Sequence, residues 1–177
     1  APGCGFNLPP AGSLGLTDAV KRLTGAAATI KWPNDVRIGN KKLAGILIET
    51  TMEAEKLRHA VLGMGVNVNL DPSKFPEIAS TATSLFHETG SPLDRATVLQ
   101  AVLEHIDDRY SAVLRGESLV DEWAACLDTL GLTVRVRWQD HEMVGLATGV
   151  DNDGNLLLTA PSGSVRTAVA GEVTLQT

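Results

Sequence analysis

Between Thr29 and Leu70 the chain reads as antiparallel strands folded back at one tight turn, and this run limits the fold more than any other feature. A β-type run, Thr29 to Trp32, breaks at Pro33-Asn34-Asp35. Val36 to Ile38 then leads into Gly39-Asn40, two residues that tolerate positive φ, and Lys41 to Thr50 reads as the returning strand. A further strand is predicted over His59–Leu70, where Gly63, Gly65, Asn67 and Asn69 alternate with Leu62, Met64, Val66 and Val68. One face of it is small and polar, the other apolar. Two glycines weaken a strand, which points to a ligand lying close to the backbone. The alternative is the solvent side of an antiparallel sheet.

Around this run the pattern is mixed. The first dozen residues, rich in Gly and Pro, read as irregular. A helix is expected from Ser13 to Thr24, with Leu14, Leu16, Ala19, Val20 and Leu23 on its apolar face. Asp71 to Thr83 reads as a loop. Thr83 or Ser84 caps a short helix ending at Thr89, and Asp94 caps a long one with Leu99, Val102, Leu103, Ile106, Tyr110, Val113 and Leu114 as its apolar set. A short helix follows over Leu119–Leu127. After Gly131 the texture changes to five short strands separated by turns such as Asp151 to Gly154, the pattern of a small β-barrel. The expected fold is α+β: a body over residues 1–130 and an all-β unit over 131–177.

The 177 residues include 15 basic and 21 acidic ones, net −6, a poor balance for a protein held by nucleic-acid phosphates. Lys31, Arg37, Lys41 and Lys42 form one local basic cluster. Two distant cysteines, Cys4 and Cys126, make neither a disulfide scaffold nor a zinc site, and a reducing, cytoplasmic compartment is the default. No apolar run reaches the roughly 20 residues that span a bilayer. Walker A, G-x-S-x-G and zincin patterns are absent from the sequence. Asp107 and Asp108 read as a solvated face, Glu53 and Glu55 as loop carboxylates, and Asp121 and Glu122 as first-turn acids of a helix.

The densest chemistry lies in Lys31-Trp-Pro-Asn-Asp35 and Lys42-Leu-Ala-Gly-Ile-Leu-Ile-Glu49. Asn34 offers a carboxamide able to read an adenine edge bidentately, presented from a turn that Pro33 stiffens. Lys42 can neutralise phosphate or carboxylate oxygens. Gly45 lacks a Cβ, so a ligand could lie against the strand. Trp32 either packs in the core or lines the site. Each feature alone is as common in ordinary turns and strands.

Together, KWPND at Lys31–Asp35, KLAGILIE at Lys42–Glu49, GMGVNVN at Gly63–Asn69, ATSL at Ala82–Leu85 and the Gly171-Glu-Val ending resemble the biotin protein ligase family in order and spacing. The resemblance implies a mixed β-sheet flanked by helices, of the class II synthetase or biotin–lipoate ligase kind, with a C-terminal SH3-like barrel. It implies substrates ATP, Mg2+ and biotin, and a two-step reaction through biotinyl-5′-AMP to a lysine of a biotin carboxyl carrier domain. By motif, Lys42 would contact the biotin carboxylate and the α-phosphate as the catalytic residue. Asn34 and Asn67 would bind the adenylate, with Trp32 also in the binding set. Asp35 would help hold the metal–nucleotide site, and Gly45 would approach the biotin rings. The partner is then a carboxylase carrier domain, with homodimerisation through sheet edges and no nucleic acid or membrane. Relatives carry an upstream Gly/Arg-rich loop that this sequence lacks, so the resemblance begins in mid-domain. The alternatives are a non-catalytic carrier- or nucleotide-binding remnant, or a lipoate-type ligase.

Overall fold

In a computed structural model, which describes residues 8–54 and 56–175, the strands expected between Thr29 and Leu70 form one sheet. Its order is β1 (Ala28–Lys31), β2 (Asp35–Ile38), β3 (Lys41–Glu53) and β4 (Lys56–Val66), with every neighbouring pair antiparallel. Parallel geometry occurs only at two isolated bridges, Ile30 with Leu127 and Lys42 with Ala82, among the described residues. The hairpin forms as expected, with Gly39 at φ +57° in the turn.

Several boundaries differ from expectation, among them the start of β4 at Lys56 rather than His59 and the short helix at Val120–Ala125 rather than Leu119–Leu127. Helix α1 spans Leu8–Thr24, so it starts before Ser13 and takes in Pro9 and Pro10. First-turn amides have no intrahelical acceptor, so two prolines there lose nothing. Residues 1–7, including Cys4, lie outside the described residues, as does Glu55. Strand β4 ends at Val66 rather than Leu70, because the next carbonyls are taken elsewhere: Leu85 N–H donates to Asn67 and Phe86 N–H to Val68. Glu53 closes β3 instead of lying in a loop, and pairs with Arg58.

Helices α2 (Leu85–Thr89) and α3 (Arg95–Leu114) begin at the expected caps, Ser84 and Asp94. On α3, however, the buried side chains are Val98, Ala101, Val102, Ala112 and Val113, while Leu99, Leu103, Tyr110 and Leu114 are exposed. The cause is close packing against α1. A Cβ on Gly15 would come within 2.8–3.0 Å of Ile106, including its backbone. At that separation only small or β-branched side chains fit between the helices, and the long leucines turn outward. Gly12, one turn earlier on α1, sits against Leu62 and Met64 of β4. Helix α1 is therefore wedged between the sheet and α3. Arg109 of α3 bonds Asp18 of α1 and Glu122 of α4 (Val120–Ala125), tying three helices together.

The last unit is a five-stranded antiparallel sheet in the order β8-β7-β6-β5-β9, built from β5 (Thr133–Trp138), β6 (His141–Val150), β7 (Leu156–Thr159), β8 (Val165–Ala168) and β9 (Glu172–Leu175). Its inward residues Val134, Val136, Ala147, Leu156 and Leu158 share one apolar cluster with Ile30, Trp32, Leu127 and Trp123. The two units thus bury a continuous core. A second cluster, with Leu16, Val20, Val36, Leu43, Ile46 and Val98, lies between the first sheet and its helices. Among the described residues no helix is long and apolar enough to cross a membrane.

Candidate active site

The outer face of the first sheet carries the site, and one irregularity creates it. Along β2 and β3 the register runs Asp35 opposite Gly45, Val36 opposite Ala44, then Arg37 opposite Lys42, so Leu43 has no partner on β2. Leu43 and Ala44 are consecutive yet both buried, at 0% and 2% exposure. This β-bulge returns Lys42 to the face that holds Gly45 and Asp35. Regular alternation would have set Lys42 and Gly45 on opposite sides.

The consequence is a tight charged group. Lys42 Nζ lies 2.6 Å from Asp35 Oδ1. A Cβ on Gly45 would sit 3.2 Å from Lys42 Nζ and 3.6 Å from Asp35 Oδ1. The missing side chain of Gly45 is the space in which the ammonium rests. The backbone of Lys42 is clamped as well: its N–H donates to Thr81 O at 2.8 Å, and Thr83 N–H donates to its carbonyl at 2.9 Å.

Asn67 closes the next side. Its amide N–H donates to Leu43 O, its carbonyl accepts from Leu85, and its side-chain Nδ2 donates to Thr83 O at 3.0 Å. Together Asp35, Lys42, Gly45, Gly65 and Asn67 line a cavity of about 450 Å³, a size suited to a small-molecule ligand. Arg37, Lys31, Asn40 and the 78–82 segment complete its wall. The sequence reading missed Thr81, Ala82 and Ile78 as lining residues. Their only signal was ATSL at Ala82–Leu85, since a loop reveals its docking strand only through tertiary hydrogen bonds.

Two expected site residues lie elsewhere. Trp32 is 2% exposed in the core shared by the two units, and its indole N–H donates to Gly154 O at 3.0 Å. It supports the KWPND turn from behind and does not line the cavity. Asn34 is outside the cavity lining too; its Nδ2 donates to Ile46 O at 2.7 Å, and its backbone carbonyl accepts from Ile46 N–H at 3.0 Å. It locks the turn onto β3. Asn69 braces a loop through reciprocal bonds with Leu93.

Among the described residues no nucleophilic thiol lies at the cavity. Burial, aided by the Glu122 and Asp18 carboxylates, pushes the Cys126 thiol up, so it stays protonated. No cluster of three metal-ligating side chains exists among the described residues. Among the described residues Asp35 is the one carboxylate on the cavity wall. That donor set suits a metal carried in on phosphates, since Mg2+ commonly takes one or two carboxylates plus substrate oxygens.

The Biotin/lipoate A/B protein ligase family profile matches residues 11–67, and that of the biotin protein ligase C-terminal domain matches residues 129–175. The chain belongs to the biotin protein ligase family. The first match contains Asn34, Asp35, Lys42, Gly45 and Asn67, and the second covers the SH3-like unit. The bifunctional ligase/repressor BirA of Bacillus subtilis is 34% identical over 154 residues, covering 85% of this chain and 47% of that protein. A biotin–[acetyl-CoA-carboxylase] ligase of Paracoccus denitrificans is 32% identical over 158 residues, covering 85% of this chain and 65% of its own length. The chain thus spans about half the length of the BirA proteins it matches. Biotin protein ligase of Aquifex aeolicus, solved in complex with biotin and ATP, superposes with a TM-score of 0.77 at 28% identity, over 97% of this chain and 71% of that one.

Proposed function

We propose that the chain carries the adenylation site of a ligase that joins biotin to a lysine of a biotin carboxyl carrier domain, using ATP as its magnesium complex. The observation that carries this reading is the meeting of Lys42, Asp35, Gly45 and Asn67 on one cavity, all within the segment matching the ligase profile. In the first step a biotin carboxylate oxygen attacks the α-phosphorus, forming biotinyl-5′-AMP, and the bond to the pyrophosphate oxygen breaks. In the second, the carrier amine attacks the acyl carbon, loses a proton and releases AMP. Lys42 sits where negative charge concentrates in both steps, with Asp35 holding the ammonium over Gly45. Asn67 faces the cavity for the adenylate. Asn34 contributes by fixing the turn behind Asp35.

The division into a body over residues 1–130 and an SH3-like unit over 131–177 belongs to the same reading, supported by the start of β5 at Thr133 and the second profile match. The outer edge of β4 has no strand partner among the described residues, which supports edge-to-edge homodimerisation. A cytoplasmic setting follows from the carboxylase partner. The first family profile spans biotin and lipoate ligases alike, so lipoate is the competing acyl substrate; the C-terminal profile favours biotin.

The test is to mix the purified chain with Mg-ATP, an apo carrier domain and either biotin or lipoate, and to read carrier mass. The reading expects a biotin-sized, ATP-dependent gain and none with lipoate. A lipoate-sized gain, or no gain from a folded chain, contradicts it.

A further inference from the structure

Beyond Lys42 the wall of the cavity carries two further cations, Lys31 and Arg37. Lys31 of β1 lies directly across from Asp35, and Arg37 of β2 across from Thr29, so Lys31 and Arg37 are diagonal neighbours on the outer face. The intervening Ile30 and Val36 are fully buried, which fixes the outward direction of both cations. Both line the 450 Å³ cavity and an adjoining one of about 80 Å³.

The nearby acids are already engaged. Asp35 is paired with Lys42 at 2.6 Å. Asp128 accepts from Arg37 at 3.2 Å and from the Thr29 hydroxyl at 3.1 Å. Arg37 also donates to Asn40 O at 2.5 Å. Those two bonds use two of the five guanidinium N–H donors and hold the side chain at 19% exposure. Lys31 has no carboxylate partner among the described residues. Among the described residues the two adjoining cavities therefore present three cations, Lys31, Arg37 and Lys42, to two carboxylates, Asp35 and Asp128, with the Arg37 guanidinium locked in place and the half-buried Lys31 ammonium unmatched.

We propose that Lys31 and Arg37 form a second anion subsite, which binds the pyrophosphate half of the nucleoside triphosphate on the same sheet face, beside Lys42. The inference rests on the adenylation reading and deepens it. When the acyl–phosphate bond forms at the α-phosphorus, the electron pair of the breaking bond passes to the bridging oxygen of pyrophosphate. Cations fixed beside the two departing phosphates stabilise that charge without reorganising. A forked guanidinium and a point-charge ammonium suit adjacent phosphates. Asp128 is itself held to β1, its N–H donating to Ile30 O at 2.9 Å, so the first sheet sets where Arg37 points.

The experiment is calorimetric titration of the full chain with inorganic pyrophosphate and, separately, with AMP. Lys31→Met and Arg37→Gln should each weaken pyrophosphate binding about tenfold and leave AMP binding within about twofold, as expected for lost charge-assisted bonds. Lys31→Arg should restore pyrophosphate binding. Arg37→Lys, which keeps the charge but loses the fork, should fall between Arg37→Gln and the parent; thermal melts confirm that each variant is folded. Unchanged pyrophosphate binding in Lys31→Met, or a parallel loss of AMP binding, overturns the subsite while the adenylation reading stands. A parent chain that binds neither probe overturns both.

Discussion

Lys42 and Gly45 share a face of β3 although they stand three positions apart, because Leu43 and Ala44 are both turned inward by the bulge opposite Val36 and Arg37. The ammonium of Lys42 occupies the volume that any larger residue at position 45 would fill. The glycine serves its neighbour's side chain in the first instance and a ligand's approach only through it.

Gly45→Ala should therefore behave as a displacement of Lys42. The added Cβ meets the flexible end of a lysine rather than backbone, so folding is preserved. Adenylate formation should fall about tenfold, equivalent to about 1.4 kcal/mol of barrier. Comparing single-turnover rates with the melting temperature checks this; a large stability loss with an unchanged rate would contradict it.

The two buried tryptophans give a matched pair. Trp32 Nε1 donates to Gly154 O, whereas Trp123 Nε1 is buried with no partner among the described residues. Replacing either by Phe removes a similar volume, but only Trp32→Phe breaks a hydrogen bond and leaves a carbonyl unsatisfied. Trp32→Phe should cost about 1 kcal/mol more than Trp123→Phe in denaturant unfolding. Equal costs would show that the Trp32–Gly154 bond contributes nothing to joining the two units.

Asp94 caps α3, and the bond from Thr97 N–H, with a second from the Thr97 hydroxyl, lowers its pKa below the ordinary carboxylate value of 3.8. A lowered folded-state pKa means stability that is present above the ordinary value and lost as pH falls through the folded one. Asp94→Asn keeps a capping side chain but cannot titrate. The melting-temperature advantage of the parent over Asp94→Asn should be present at pH 7 and shrink at about pH 3. A gap that stays constant would remove the ionised cap from the account.

Much of this fold is legible in the sequence alone. The Gly39-Asn40 hairpin, the Ser84 and Asp94 caps and the five C-terminal strands all rest on local chemistry, and local chemistry is what a sequence displays. The Lys42, Asp35 and Asn67 grouping was legible through motif order. What escaped depends on contacts between distant segments. Helix α3 carries apolar residues on two faces, and only the closeness of Gly15 to Ile106 decides which face is buried. Asn34 looked like a ligand reader because its carboxamide is versatile; whether that group faces a cavity or Ile46 O depends on where β3 passes. The bulge at Leu43 leaves no mark in a run of apolar residues.

Single-turnover formation of biotinyl-5′-AMP by the parent chain and by Lys42→Ala tests the central claim most directly. The account predicts adenylate from the parent and a loss of about 10²- to 10³-fold in the variant, the usual effect of removing one preorganised charge-stabilising donor, with the fold intact by circular dichroism. Equal rates in the two proteins would contradict it, and would move the chemistry away from the Lys42–Asp35–Gly45 cluster.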